Sequence, residues 1–189
     1  EEELSRTEAA LKDATHQHPI GFRGPGFSLS ETVLQILARR GYRYDASTFP
    51  TFLGPLARMY YFAKAGAMSS HEKRQRSKLF GKLSEGFRRL KAYLWNTPEG
   101  PILEIPVTTF PVFKIPVHLS YLLYLSCYSP WLARTYFRFF ITACKLTKTE
   151  PSLLLHPLDF MGNDDVQGLD FFPAMKIPGH QKMKWAETL

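Results

Sequence analysis

The stretch GFRGPGFSLSETVLQILARRGYRYDAS, residues 21–47, decides the fold because it holds two predicted strands and the helix between them. An apolar run over residues 19–22 predicts a strand that ends at Arg23. Either Ser28 or Ser30 can cap the helix that follows, and Gly41 is a helix-stopping residue. Residues 42–45 then predict the second strand. The buried face of the helix is predicted to hold four aliphatic residues, Val33, Leu34, Ile36 and Leu37.

An amphipathic helix is predicted over residues 2–15, so helices and strands alternate along the first part of the chain. Short turns between alternating elements indicate an α/β fold with a parallel sheet. Functional side chains of such sheets lie where the strands end, at the carboxyl edge. Arg23 and Asp45 each follow or end a predicted strand, and we therefore expect both of them at a functional site.

Composition places the chain among globular proteins and leaves its partner open. Its 189 residues, 44% hydrophobic and 22% charged, suit a single domain over residues 1–189 and are too few for two large domains. The net charge of +7 suits a polyanionic substrate, an anionic membrane surface or nucleic acid. Cys127 and Cys144 are expected to be small buried side chains rather than a disulfide or a metal pair.

Two segments bear on membranes. Residues 116–146 are apolar and aromatic, but Pro130, Arg134 and Arg138 interrupt them well before the roughly 20 apolar residues of a membrane span. Two buried or interfacial helices are predicted instead. Within a basic excursion over residues 51–100, residues 71–91 are rich in Lys and Arg with aromatic residues between them. We expect a solvated excursion there. An anionic membrane surface is the second interpretation and nucleic acid the third, since no nucleic-acid motif accompanies the charge.

Four motifs follow one another along the chain: FRGPGFS (22–28), GYRYDAS (41–47), LEIPVTTFP (103–111) and LLLHPLDF (153–160). In this order they resemble the polysaccharide deacetylase family of carbohydrate esterases, from about residue 19 to residue 160 and weakly across the basic excursion. The resemblance implies a partial, distorted (β/α) barrel that lacks its N-terminal strands. It also implies a divalent metal, usually zinc, whose bound water attacks the N-acyl group of an amino sugar.

The resemblance assigns roles to three residues. Arg23 matches the family arginine that hydrogen-bonds and orients the catalytic base, a task for a fixed guanidinium. His156 matches the general acid that protonates the departing amine, which suits a side chain that exchanges protons near neutral pH. Asp45 lies about where the family often has an acid that holds this histidine, although Ala46 replaces the usual tryptophan beside it. Asp159 is the rival for that role.

The resemblance also predicts which residues bind the substrate. Gly24, Pro25 and Gly26 would hold the backbone so that Arg23 points into the cleft, and the glycines would let a sugar approach. Leu154 would help form the wall of the acyl pocket. The residues predicted to bind substrate are therefore Gly24, Pro25, Gly26, Phe27 and Leu154.

The sequence departs from the family at the metal site. Family members bind the metal with one Asp and with two His of an H-x-x-x-H element, and a second Asp is the general base. The chain has no H-x-x-x-H, and no Asp-Asp pair precedes Arg23. His16 and His18 come too late in the order of motifs, and the pair at residues 164–165 is expected in a solvated turn. We therefore predict no metal ligand and no cofactor in this chain, and a divalent metal, zinc by the resemblance, in the full-length protein.

The chain begins and stops within helical patterns, which predicts a piece of a longer protein whose metal-binding part precedes Glu1. Two functions follow. The first is a fragment of a metal-dependent amino-sugar N-deacetylase, a hydrolase of non-peptide amide bonds, inactive as this chain alone. The second is a metal-free relative that binds carbohydrate or a partner.

The expected partner is an amino-sugar glycan, and no nucleic acid is expected. The basic aromatic segments favour a lipid-linked glycan or a peripheral membrane contact. No signal peptide or membrane span is predicted, so the location stays open, with a cytoplasmic or membrane-peripheral one favoured.

Overall fold

The computed structural model describes residues 1–54, 83–169 and 174–189. The chain forms two compact units, Glu1–Val107 and Thr108–Leu189, and each is presented by itself. The single domain expected over residues 1–189 stays a prediction. Of the basic excursion predicted over residues 51–100, residues 55–82 lie outside the described residues, and so does most of its basic aromatic part.

The first unit is a mixed α/β structure built on a four-stranded sheet. Its helices are α1 (Glu2–Thr15) and α2 (Glu31–Arg39), and its strands are β1 (Gly21–Phe22), β2 (Tyr44–Asp45), β3 (Tyr93–Thr97) and β4 (Gly100–Glu104). The strand order is β1-β2-β4-β3. Strand β2 is parallel to both β1 and β4, which confirms the α/β class and the parallel core of the sheet.

Strand β3 departs from the prediction because it is antiparallel to β4. Only two residues separate Thr97 from Gly100, and Gly100 takes a positive φ of 124°. So short a connection reverses the chain, whereas a parallel neighbour needs a crossover of roughly a dozen residues or more. The sheet is therefore mixed, and its antiparallel edge strand comes from a segment in which no strand was predicted.

Helix α2 covers the sheet as its pattern predicts. Leu34 and Leu37 are buried and form a cluster with Tyr42 and Ile102, while Val33 and Ile36 are half-buried. The Ser30 side chain accepts a hydrogen bond from the backbone N–H of Val33, so Ser30 is the cap.

The second unit is mainly helical. Its helices are α3 (Leu119–Tyr128), α4 (Pro130–Thr147) and α5 (Gly179–Glu187), so the predicted pair of helices over residues 116–146 is confirmed. Pro130 begins α4 at a position where its missing N–H is harmless. Within residues 1–54, 83–169 and 174–189, no helix combines the length and the apolar character that a membrane crossing requires.

The three leucines before His156, residues 153–155, form only one parallel bridge, between His118 and Leu154. Leu154 is buried and Leu155 is exposed, so this segment presents one side to the core. Pro151 and Pro157 flank it and lack the N–H groups that a longer ladder would use. The histidine that follows is therefore carried by a loop and not by the end of a strand.

Replacing Ser30 with alanine removes the hydroxyl that accepts from Val33 N–H, and we expect about 1 kcal/mol of lost stability. Urea denaturation followed by circular dichroism measures it. Ser28→Ala is the matched control, because Ser28 is exposed and precedes the cap, and it should change stability by less than about 0.5 kcal/mol. Equal losses in both variants would contradict the assignment of the cap.

Candidate functional site

Arg23 is fixed near its base although its residue is exposed. It follows β1 directly, and its Nε donates a hydrogen bond of 3.0 Å to the carbonyl oxygen of Ala46, just after β2. This bond does not use the two terminal Nη groups. An arginine held in this way presents the fork of its guanidinium in a defined direction, which is what recognition of a carboxylate requires.

Gly24 begins the turn that follows Arg23, and no larger residue fits there. Its N–H donates to the Ser47 hydroxyl at 2.7 Å. A Cβ added to Gly24 would lie 2.0 Å from the carbonyl oxygen of Ser28, a distance at which backbone would have to move. The glycine is therefore required by the close approach of two backbone segments.

A short 3₁₀ helix, Pro25–Phe27, completes the turn. Gly26 and Phe27 both have positive φ, 59° and 60°, which is uncommon for an aromatic residue. The Phe27 ring stacks on Phe49 with 4.8 Å between centroids, and this contact holds the strained position. Gly24, Pro25, Gly26 and Phe27 thus form one turn beside Arg23, and their contact with substrate stays a prediction.

Asp45 holds this turn in place through hydrogen bonds to Ser47. The Asp45 side chain is fully buried, and its carboxylate accepts from the Ser47 backbone N–H at 2.9 Å and from the Ser47 hydroxyl at 2.7 Å. The same Ser47 oxygen receives the N–H of Gly24. Asp45 therefore fixes the orientation of Ser47, and Ser47 holds the backbone next to Arg23.

Glu104 lies beside Asp45 on the neighbouring strand and is fully buried as well. It accepts from the Thr48 hydroxyl at 2.6 Å, the Thr48 N–H at 3.0 Å and the Trp95 Nε1–H at 2.9 Å. Burial raises the pKa of Glu104 to about 7, and a hydrogen bond with Asp45 adds to the shift. A second buried carboxyl group beside Glu104 disfavours its negative charge, which adds to the effect of burial on the pKa of Glu104.

In the second unit His156, the predicted general acid, lies beside a serine hydroxyl and a carboxylate. Its Nδ1 is 3.2 Å from the Ser120 hydroxyl and 3.6 Å from a carboxylate oxygen of Asp159. Asp159 is fully buried, whereas the His156 side chain is 41% exposed. Asp159 also accepts the backbone N–H of His156 at 2.7 Å, a bond that closes the Pro157–Asp159 turn.

The hydrogen bonds of the Ser120 hydroxyl determine that Nδ1 of His156 carries a hydrogen. Ser120 donates its one hydrogen to Asp159 at 2.6 Å, so its oxygen can only accept from His156. Nδ1 is accordingly the donor, and the nearby Asp159 carboxylate helps to hold the ring in this orientation. Proton exchange with a substrate is then left to Nε2, on the opposite side of the imidazole.

Two more rings lie next to His156. The ring of His118 is 6.1 Å from that of His156 and stacks on Tyr121 at 4.2 Å. Burial lowers the pKa of His118 to about 4, and repulsion by His156 adds to the effect, so His118 is neutral at pH 7. Tyr121 itself is half-exposed, at 49%. The result is a partly open aromatic surface beside an imidazole.

A buried lysine supports the turn that carries Asp159. Lys182 of α5 is fully buried, and its Nζ donates to the carbonyl oxygens of Leu158 at 2.9 Å and Met161 at 2.6 Å. Burial lowers the pKa of Lys182, since desolvation disfavours its charge. These two bonds tie the turn after His156 to the last helix.

The predicted site residues fall into both units. Arg23 and Asp45 belong to the first unit, and His156 and Leu154 belong to the second. The expectation that Asp45 holds His156 stays a prediction. The acid that contacts His156 within the second unit is Asp159, the rival of Asp45 for this role.

The other candidate side chains are placed in loops. His16 and His18 are exposed after α1, and the acidic pair at 164–165 lies in an exposed turn, as expected. The two cysteines lie on helices and are free thiols: Cys144 is buried as expected, whereas the expected burial of Cys127 is wrong, since it is exposed on α3. In the part of the chain that the structure describes, no three His, Cys, Asp or Glu side chains cluster in a way that could hold a metal ion. These residues therefore do not fit the metal site of the family.

Ser120, His118 and Glu104 were not predicted from the sequence as site residues. The sequence could have marked the first two as buried polar residues, because they interrupt an otherwise apolar run at the start of α3. Glu104 likewise interrupts the apolar run of β4. A lone polar residue within an apolar segment must find partners when it is buried, and that requirement is what marks all three.

Comparisons of the chain with protein-family models, with curated proteins and with solved structures find no match. The likeness to polysaccharide deacetylases therefore rests on the four sequence motifs alone.

Glu104→Gln tests the buried carboxyl pair. Because the pKa of Glu104 is raised in the folded protein, its contribution to stability is present at low pH and is lost as pH rises toward 7. Glutamine keeps the hydrogen-bonding shape without titrating. Between about pH 5 and about pH 8 we expect the stability of the variant relative to wild type to improve by on the order of 2 kcal/mol. Urea denaturation at both pH values measures this.

Glu3→Gln is the control for this comparison, because Glu3 is exposed on α1. Its stability relative to wild type should not change with pH by more than a few tenths of a kcal/mol. A Glu104→Gln protein with the same pH dependence as wild type would show that Glu104 is ionised throughout this range.

Proposed function

We propose that this chain is the C-terminal part of an amino-sugar N-deacetylase of the polysaccharide deacetylase type, and that it forms the later elements of a distorted (β/α) barrel. The arrangement around His156 is the observation that carries this proposal. An imidazole beside a fully buried carboxylate and a serine hydroxyl, with its other nitrogen directed away from both, is suited to general acid catalysis. The order of the four motifs and the parallel strands β1, β2 and β4 agree with it.

In the proposed reaction the carbon–nitrogen bond of an N-acyl group is hydrolysed. Water adds to the acyl carbon, and the bond to nitrogen then breaks. The amine departs with a proton that His156 supplies from Nε2, and the acyl group leaves as a carboxylic acid. Asp159 and Ser120 hold Nδ1–H, which fixes the ring orientation and directs Nε2 to the substrate.

Arg23 has the second role in the proposal. Its guanidinium, held at Nε by Ala46, would orient a catalytic carboxylate through its terminal nitrogens. The described residues do not form a metal site, so no step is assigned to a metal here. In an enzyme of this type the metal ligands and the base would come from residues other than those described.

A specific observation favours a second candidate, a protein that binds carbohydrate without hydrolysing it. The Tyr121 ring is half-exposed and stacks on the neutral His118 next to His156. An exposed aromatic face beside hydrogen-bonding groups is suited to pack against the apolar face of a sugar ring. Both candidates therefore predict glycan binding at this surface, and only the first predicts hydrolysis.

His156→Ala tests the acid in the natural protein that contains this chain. We expect acetate release from N-acetylated chitooligosaccharides to fall by on the order of 10²–10⁴, because a positioned acid is lost. Arg23→Lys should also lower the rate, since an ammonium group cannot replace a planar fork. His180→Ala is the matched control, as His180 is exposed on α5, and should retain the wild-type rate. Wild-type turnover by His156→Ala would contradict the acid assignment.

The isolated 189-residue chain provides a further test. We expect it to release no acetate and to keep no stoichiometric metal after dialysis, because a tight catalytic zinc site takes about three protein ligands. It should still bind chitooligosaccharides, and Tyr121→Ala should weaken that binding, measured by calorimetry. One tightly held zinc ion with acetate release would contradict the proposed division of the site. Tyr121-dependent binding combined with an inactive natural protein would favour the second candidate.

A further inference from the structure

The outward face of α4 carries exposed apolar and basic side chains in two adjacent rows. At about 100° per residue, Trp131, Phe139 and Leu146 fall within a sector of about 80°, and Arg138 and Lys145 fall in the neighbouring sector. The three apolar side chains are 72%, 64% and 80% exposed, and both basic residues are exposed too. We call these five residues the outer face of α4.

The exposure of these apolar residues is not needed to hold the helix in place. The opposite side of α4 already supplies the core of the second unit with Ala133, Phe137, Phe140 and Cys144, all buried. A helix that has buried one apolar face has no structural use for a second one in water. Large apolar side chains that are exposed along one side of a helix in this way indicate a contact surface.

Aromatic residues with polar atoms precede this surface. Tyr121, Tyr124 and Tyr128 recur on one side of α3 and are exposed, and Trp131 follows Tyr128 across the short turn into α4. Tyr and Trp are the residues that favour the boundary between lipid and water, because each has an apolar ring and a hydrogen-bonding atom.

The stretch of sequence that contains this helix carries charge of one sign. No Asp or Glu occurs between Glu104 and Glu150, whereas the same stretch contains five basic residues, Lys114, Arg134, Arg138, Lys145 and Lys148. Basic side chains in line with exposed aromatic ones disfavour a buried protein interface, whose centre is depleted of charge. An anionic headgroup layer accommodates both, since phosphates pair with the cations while the rings enter the acyl boundary.

We propose that the outer face of α4 binds the surface of a bilayer that contains anionic phospholipid. The surface contacts the membrane without crossing it, and the helix lies along the headgroup layer. This inference does not depend on the hydrolysis proposed above. The observations behind it concern α4. They do not concern residues 71–91, for which an anionic membrane surface is the second interpretation of the sequence.

Vesicle sedimentation with the full 189-residue chain tests it. The chain should sediment with mixed phosphatidylcholine–phosphatidylglycerol vesicles, remain in solution with pure phosphatidylcholine vesicles, and dissociate when salt is raised. Arg138→Gln/Lys145→Gln and, separately, Trp131→Ala/Phe139→Ala should each raise the lipid concentration for half-binding by roughly 10-fold or more. All four residues are exposed, so the fold should remain, as circular dichroism can verify.

Two matched controls accompany these variants. Arg6→Gln/Lys12→Gln removes the same charge from the exposed side of α1, and Phe87→Ala/Leu94→Ala removes exposed apolar side chains from the first unit. Each control should bind vesicles within about twofold of wild type.

Three outcomes would overturn the inference. The first is the absence of binding to anionic vesicles at low salt. The second is binding that the outer-face variants leave unchanged, or that soluble polyphosphate reproduces without dependence on Trp131 and Phe139, which would show a purely ionic contact. The third is a wild-type chain that self-associates without lipid and becomes monomeric in the Trp131→Ala/Phe139→Ala protein, which would make the face an interface between copies.

Discussion

The hydrogen bonds of the Asp45 carboxylate determine the arrangement of the first unit around Arg23. Asp45 is buried at the end of a strand, and a buried carboxyl group is stable only when its oxygens have hydrogen-bond partners. It meets that requirement by fixing both the backbone and the hydroxyl of Ser47, which in turn receives Gly24. The position of the turn that follows Arg23 therefore depends on the hydrogen bonds that one buried carboxyl group accepts.

The second unit uses the same physical device with different residues. Asp159 is also fully buried, and it also accepts one backbone N–H and one serine hydroxyl. In each unit a buried acid supports a basic side chain that is partly in contact with water, Arg23 in one and His156 in the other. In both units the buried acid holds the local backbone, and the basic side chain is the more exposed member of the pair.

The sequence predicted the elements whose causes are local. Helix α2 was expected from its apolar spacing, and only the choice between Ser28 and Ser30 as its cap required the structure. Strand β3 was not predicted because its place at the sheet edge depends on pairing with β4. For His156, Asp159 was within reach of prediction, since a histidine, a proline and an acid three residues later form a closed turn. Ser120 was not, because it is 36 residues away and meets His156 only through the packing of α3.

The bonds of Lys182 have a consequence for the order of folding. The bond between Asp159 and the His156 N–H closes the turn locally, but the carbonyl oxygen of Leu158 meets Lys182 only 24 residues later in the chain. While the chain is being synthesised, α3 and α4 can pack against one another before α5 has left the ribosome. The contact between the His156 turn and α5 would then be among the last parts of the second unit to form, after the helical hairpin.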